Sequence, residues 1–210
     1  MPADFFPKGV ELLRFLPEII LTVVGTLLMV IVPLAKQRWA AIYGHISLLG
    51  LAGALAAAVS AYSTPGPAFS GMLIADGFAA FFRVLVISVG ILTVLASYRF
   101  LAREGAEAGE YHALILFCVA GQCVMVTANE LIMIFIGLEI SSIATYVLAG
   151  YFRDDKRANE AALKYFLLGS FATAFLLYGI AWIYGLTGST NLAAIRVALA
   201  SHDLAPAPPA

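Results

Sequence analysis

The sequence predicts an all-α, polytopic membrane protein of about six transmembrane helices, and three observations carry that prediction. First, 62% of the 210 residues are hydrophobic and only 12% are charged, with a mean hydropathy of +0.94. A soluble domain carries roughly 25% charged residues, so this composition cannot furnish a water-exposed surface. Second, the apolar residues fall into six runs of about 17–25 residues, each long enough to cross ~30 Å of hydrocarbon at 1.5 Å per helical residue. Third, the fifth run carries a carboxylate, Glu139, almost at its midpoint. Backbone groups in lipid must be satisfied within the segment, which selects helices, and the runs are too continuous for alternating barrel strands.

Residues 1–15 form a polar-aromatic lead with Pro2 and Pro7. The transmembrane region covers 16–186, with spans at about 16–34, 40–62, 76–98, 111–127, 129–150 and 158–184. Pro17-Glu18 opens the first span and Lys36-Gln-Arg38 closes it, with Trp39 and Tyr43 where interfacial aromatics belong. In the second, Gly53, Ala57 and Ala61 recur every fourth residue, a small-residue face that lets helices approach closely. A charge-free Pro/Gly/Ser loop, 63–71, leads to the third span, which starts near Asp76 and includes Arg83. The polar run 99–110 precedes the fourth span, and Arg153-Asp154-Asp155-Lys156-Arg157 separates the fifth from the sixth. The tail, 187–210, holds a short amphipathic piece (192–199) and ends Pro-Ala-Pro-Pro-Ala.

Charge orients the bundle. Loops after the odd-numbered spans carry Lys36, Arg38, Arg99, Arg103, Arg153, Lys156 and Arg157, whereas the opposite side has Lys8, Arg14 and Arg196. The positive-inside bias puts the odd loops in the cytoplasm and both ends of the chain outside. The N-terminus carries Asp4, Glu11 and Glu18 without a basic lead, so no cleavable signal peptide is expected. A net charge of −1 and the lack of a basic cluster argue against nucleic-acid binding. Cys118 and Cys123, five residues apart, face different sides of one helix and read as small packing residues rather than metal ligands.

The chemistry on offer is intramembrane charge. Glu139 lies about eleven residues, roughly 15 Å, from either end of its run, too deep for its side chain to reach water. Placing a carboxylate there costs ~2.5–3.5 kcal/mol on insertion scales, which makes it a functional-site candidate. Gln122, Ser141, Ser142 and Thr145 are candidate partners or lining of a hydrated path. Lys164 lies about six residues into the sixth run, roughly 9 Å deep. It can reach back to the interface, or meet Glu139 directly or through a water. Arg83, about seven residues into the third run, can likewise snorkel or pair with Asp76. His45 and His112, near run ends, suit interfacial packing, or proton transfer by virtue of an ordinary imidazole pKa near 6.5. No phosphate-binding glycine loop, nucleophile elbow or haem-type bis-His pattern is present in the sequence, so no cofactor is expected on this chain.

Gly137-Leu138-Glu139, Tyr146-Val-Leu-Ala-Gly150-Tyr151, Arg153-Asp154-Asp155, Glu160-Ala-Ala-Leu-Lys164-Tyr165-Phe166, Leu167-Leu-Gly169-Ser170 and Tyr184-Gly185-Leu-Thr187-Gly188-Ser189 together resemble the antiporter-like subunit N family of NADH-quinone oxidoreductase, respiratory complex I. Pro17-Glu18, Asp76-Gly77-Phe78 and Glu110-Tyr111-His112 extend the resemblance more weakly upstream. The resemblance implies a proton-translocating membrane-arm subunit of the bacterial cytoplasmic membrane, with both ends of this chain in the periplasm. Its implied partners are lipid and other membrane-arm subunits of complex I. NADH, FMN, iron–sulfur clusters and quinone would sit in those other subunits. It assigns proton transfer to Glu139 and Lys164. It also implies about fourteen helices in two inverted repeats, so this chain reads as the N-terminal portion. Two other readings stand beside it: a subunit of a multisubunit cation/proton antiporter, and a truncated assembly fragment that packs without transporting.

Overall fold

The computed structural model describes residues 9–34, 40–105 and 108–201. Lys8, Lys36, Arg38 and Trp39, the start of the lead and the proline-rich end of the tail lie outside the described residues. Eight α-helices follow in order: α1 (Gly9–Arg14), α2 (Leu16–Leu34), α3 (Ala40–Ala61), α4 (Gly77–Glu104), α5 (Ala108–Thr127), α6 (Leu131–Ala149), α7 (Lys156–Thr187) and α8 (Leu192–Ser201). Six of them, α2 to α7, are long and apolar enough to cross a membrane.

The helix ends follow from local chemistry. Pro17 sits in the first turn of α2, where its missing N–H is no loss. The Asp76 carboxylate accepts from the Ala79 N–H at 2.8 Å and caps α4. At its other end α4 runs six residues past Tyr98 and stops at Gly105, whose φ of 64° is left-handed. Asp155 caps α7 by accepting from the Arg157 N–H at 2.8 Å.

The charge-free loop after α3 contains a small antiparallel ribbon, β1 (Gly66–Ala68) and β2 (Leu73–Ala75). This ribbon ties one end of the bundle together. The Arg14 guanidinium donates to the carbonyls of Thr64, Pro65 and Pro67 at 2.8, 2.9 and 2.5 Å. Asn129, between α5 and α6, donates its side-chain amide to the Gly71 carbonyl and its backbone N–H to that of Met72. Leu131 and Leu192 close the ring through backbone bonds to Thr190 and Asn129. The acid-and-base-rich loop 150–155 and the charged end of α4, 99–104, lie at the opposite end.

The bundle is built round α5, which packs against α2, α3, α4 and α6. About 61% of its membrane-spanning window is buried, against 6% for α7, so α5 is the central post and α7 the outermost. Leu21 and Leu28 of α2, Leu51 and Ala58 of α3, and Ile87 and Val94 of α4 close over Leu116, Val119 and Cys123 of α5. On α3 the buried stripe is Ser47, Leu51, Ala54 and Ala58, with Ala57 and Ala61 beside it and Gly53 at its edge. The contact face is therefore turned by one residue from the expected Gly53–Ala57–Ala61 line, following the 3- and 4-residue steps of helix packing.

Helices α5 and α6 meet backbone to backbone. A Cβ placed on Gly121 would stand 2.6 Å from both the Gly137 carbonyl oxygen and the Ser141 nitrogen, and one on Gly137 would meet the Gly121 carbonyl oxygen at 2.8 Å. Only two glycines facing each other permit this backbone contact.

Candidate functional site

The crossing at Gly121 and Gly137 fixes which way each polar group of α6 faces. Gly137, Ser141 and Ala144 are buried against α5. At 100° per residue, Glu139 and Tyr146 lie on the opposite side of α6. Tyr146 packs there on α7, edge-on to Tyr165 and Phe166 at 4.8 and 5.7 Å, its hydroxyl over Gly169.

Glu139 is the ninth of nineteen residues in α6, about 13 Å from the start of the helix. The residue is half-buried; its Oε1 is fully buried and has no hydrogen-bond partner among the described residues. An ionised carboxylate oxygen in that position wants a donor. Among the described residues nothing supplies one to Oε1.

Lys164 is placed differently. Its ammonium pairs with the Glu160 carboxylate one turn back on α7, and the two side chains are 73% and 64% exposed. The Cα–Cβ bonds of a helix tilt toward its N-terminus, so the side chain leans to the charged-loop end, away from the level of Glu139. No direct Glu139–Lys164 ion pair forms among the described residues. An exposed i,i+4 pair is worth little, so Lys164→Ala should change stability by no more than ~0.5 kcal/mol. Thermal unfolding in detergent checks this; a loss of several degrees would mean that Lys164 has another partner.

The remaining candidates divide into three groups. Gln122, Ser141 and Cys118 meet: the Gln122 amide lies 3.4 Å from Cys118 Sγ and 3.5 Å from Ser141 Oγ, with 3.3 Å between the last two. This cluster sits on the α5 side of α6, across the helix from Glu139. Ser142 and Thr145 flank the Glu139 side: Thr145 donates to the Ser142 carbonyl and stands 3.3 Å from the Tyr165 hydroxyl of α7. His112 is buried near the charged-loop end, its Nε2 3.0 Å from Ser97 Oγ. Because the Ser97 hydroxyl donates to the Val94 carbonyl, the imidazole proton belongs on Nε2.

Arg83 corrects the sequence reading. It neither snorkels nor meets Asp76, which is engaged as a helix cap. Instead its Nε and Nη2 donate to Glu18 Oε1 of α2 at 2.7 and 2.6 Å, and both residues are buried, at 2% and 1% exposure. From sequence alone Glu18 marks only the opening of a helix. Its one available signal was the second charge, Arg83, inside an apolar run and in need of a partner.

At the charged-loop end an open cleft of about 1090 Å³ is lined by the charged residues Glu104, Glu110, Arg153, Asp154 and Asp155 and by the apolar residues Met29, Leu114 and Val147, among others. Val147 stands eight residues beyond Glu139 on α6, about 12 Å along the axis.

Six helices long and apolar enough to cross a bilayer, packed as one bundle, define a multi-pass membrane protein. Residues 128–205 match the family described as NADH:quinone oxidoreductase/Mrp antiporter, transmembrane. The chain is 70% identical over 186 residues to NADH-quinone oxidoreductase subunit N 1 of Solibacter usitatus, covering 89% of this chain and 38% of that protein. It is 42% identical to subunit N of Trichlorobacter lovleyi, covering 90% and 39%. Its fold matches a chain of respiratory complex I from Thermus thermophilus with a TM-score of 0.71 at 32% identity, over 84% of this chain and 38% of the other. A chain of the archaeal membrane-bound sulfane sulfur reductase follows at 0.66 and 27% identity, over 90% and 39%. The chain spans about two fifths of the length of the curated relatives it matches.

Proposed function

We propose that this chain contributes to proton translocation in the membrane arm of an NADH:quinone oxidoreductase, with Glu139 as the carboxylate that takes up and releases the proton. The observation that carries this is the buried Glu139 Oε1, which at mid-membrane depth lacks a donor among the described residues. Electron transfer from NADH to quinone, with its flavin and iron–sulfur centres, belongs to other subunits, and the membrane-arm subunits among them are the partners. The acidic cleft lies at the end that the positive-inside bias assigns to the cytoplasm, with both ends of the chain in the periplasm and the bundle in the cytoplasmic membrane. Lys164, held by Glu160 at the same end, acts as the cytoplasm-side relay. Its cation is free to swing from that exposed pair when the field along the bundle changes. Ser142, Thr145 and the Tyr165 hydroxyl offer hydrogen-bonding stations on the side of α6 where Glu139 lies. The test is Glu139→Gln in a full-length subunit within the assembled complex. Proton pumping per NADH oxidised should fall at least tenfold, the scale on which loss of a proton-transfer group acts. Unchanged pumping would refute the assignment. Sodium uptake by vesicles without NADH-driven quinone reduction would instead favour an antiporter.

A further inference from the structure

The Glu18–Arg83 pair is a second buried charge site, on other helices than Glu139, and its geometry is lopsided. A guanidinium facing a carboxylate in the usual fork places one N–H on each oxygen. Here both Arg83 donors converge on Oε1, leaving Glu18 Oε2 buried and without a hydrogen-bond partner among the described residues.

We propose that Glu18 is a second proton-loading carboxylate of this chain, which takes its proton on Oε2 from the ribbon end of the bundle while Arg83 keeps hold of Oε1. The balance is simple: one proton joins the carboxylate, the carboxyl O–H becomes the missing donor, and both Arg83 hydrogen bonds persist. The pair then changes from neutral to a single buried positive charge. Loading is therefore unfavourable at rest and becomes favourable when positive charge leaves the neighbourhood or negative charge arrives. That makes the site responsive to the electric field of the bundle.

The surrounding elements leave Arg83 in control. From α5 the Cys123 thiol lies within electrostatic reach of both charges. Glu110, Tyr111 and His112 of α5, and Tyr43 and His45 of α3, stand at the far ends of their helices. On α1, Arg14 is occupied by the ribbon carbonyls, and Glu11 is the remaining acid. On α4, Asp76 is held by the Ala79 N–H. Glu18 is the third residue of α2 and Arg83 the seventh of α4, so the site lies one to two turns beneath the ribbon. A proton has only a short distance to travel from that surface.

Infrared difference spectroscopy across a pH series, on the chain in lipid vesicles, tests this. A Glu139→Gln background removes the mid-span carboxyl from the signal. A titrating protonated-carboxyl band should be present there and lost on adding Glu18→Gln. Adding Arg83→Gln instead should raise the band several-fold at neutral pH, because the cation opposing protonation is gone. Glu18→Asp keeps the charge pair, so a band at a shifted frequency should survive even if Glu18→Gln perturbs folding. Persistence of the original band in both Glu18 variants, or no rise with Arg83→Gln, overturns the proposal.

Discussion

Arg83→Met should be among the most destabilising single substitutions in this chain, at ~3–5 kcal/mol, because it leaves the Glu18 charge buried and unpaired. The cost arises from the abandoned partner more than from the lost attraction. Desolvating a carboxylate is expensive, and at 1% exposure Glu18 has no hydration to replace its lost partner. Two consequences separate this account from a packing defect. First, the double variant Glu18→Met/Arg83→Met should recover most of the loss, since replacing a buried ion pair by apolar groups of similar volume is often neutral. Second, the single variant should regain stability as the pH falls, because a protonated Glu18 is neutral and can stay buried. Unfolding of the parent chain, both single variants and the double variant in mixed micelles, over a pH series, gives the coupling energy directly. A double variant as unstable as the single one would show that Arg83 acts by shape.

The same pair shows where sequence reading ends. Glu18 and Arg83 are 65 residues apart, and each stands near the end of its own apolar run, where a charge looks able to reach the surface. Only the tertiary arrangement, with both side chains buried at the ribbon end, removes that escape. Glu139 was legible for the opposite reason: a lone carboxylate in the middle of a run has no local alternative, whatever surrounds it. Lys164 was legible as a charge but not as a partner. Its neighbour Glu160 is four residues back in sequence, and the helix geometry that joins them is local, whereas a bond to Glu139 depends on how α6 and α7 are set.

The bundle itself was readable as six apolar runs, because run length against bilayer thickness is a property of one segment at a time. The centrality of α5 was not. Its run is interrupted by Gln122, Thr127 and two cysteines and looks no more buried than the others, and only packing on four sides reveals its place. The β1–β2 ribbon also escaped notice. Strands of three residues containing Pro67 carry no alternating pattern, and they are held by Arg14 and Asn129 from remote parts of the chain.

Gly121→Leu should prise α5 from α6 and disturb both polar sites that depend on their spacing. The first side-chain carbon would lie 2.6 Å from a backbone oxygen and a backbone nitrogen of α6, and backbone cannot turn aside as a side-chain tip can. Either the helices separate or α6 rotates. Overpacking of this kind costs ~1–3 kcal/mol even where the surroundings relax. Separation would also break the Gln122–Ser141–Cys118 contacts and carry Glu139 with α6 relative to α5. A local reporter is available, because Cys118 Sγ and Ser141 Oγ are 3.3 Å apart. In a Ser141→Cys background the two sulfurs should cross-link readily under mild oxidation, and Gly121→Leu should reduce the yield severalfold. Gly53→Leu, at an edge where an added Cβ would meet only Ile20 at 3.9 Å, serves as the control and should leave the cross-link intact. Equal yields in all three proteins would mean that α5 and α6 are held together by something other than the two facing glycines.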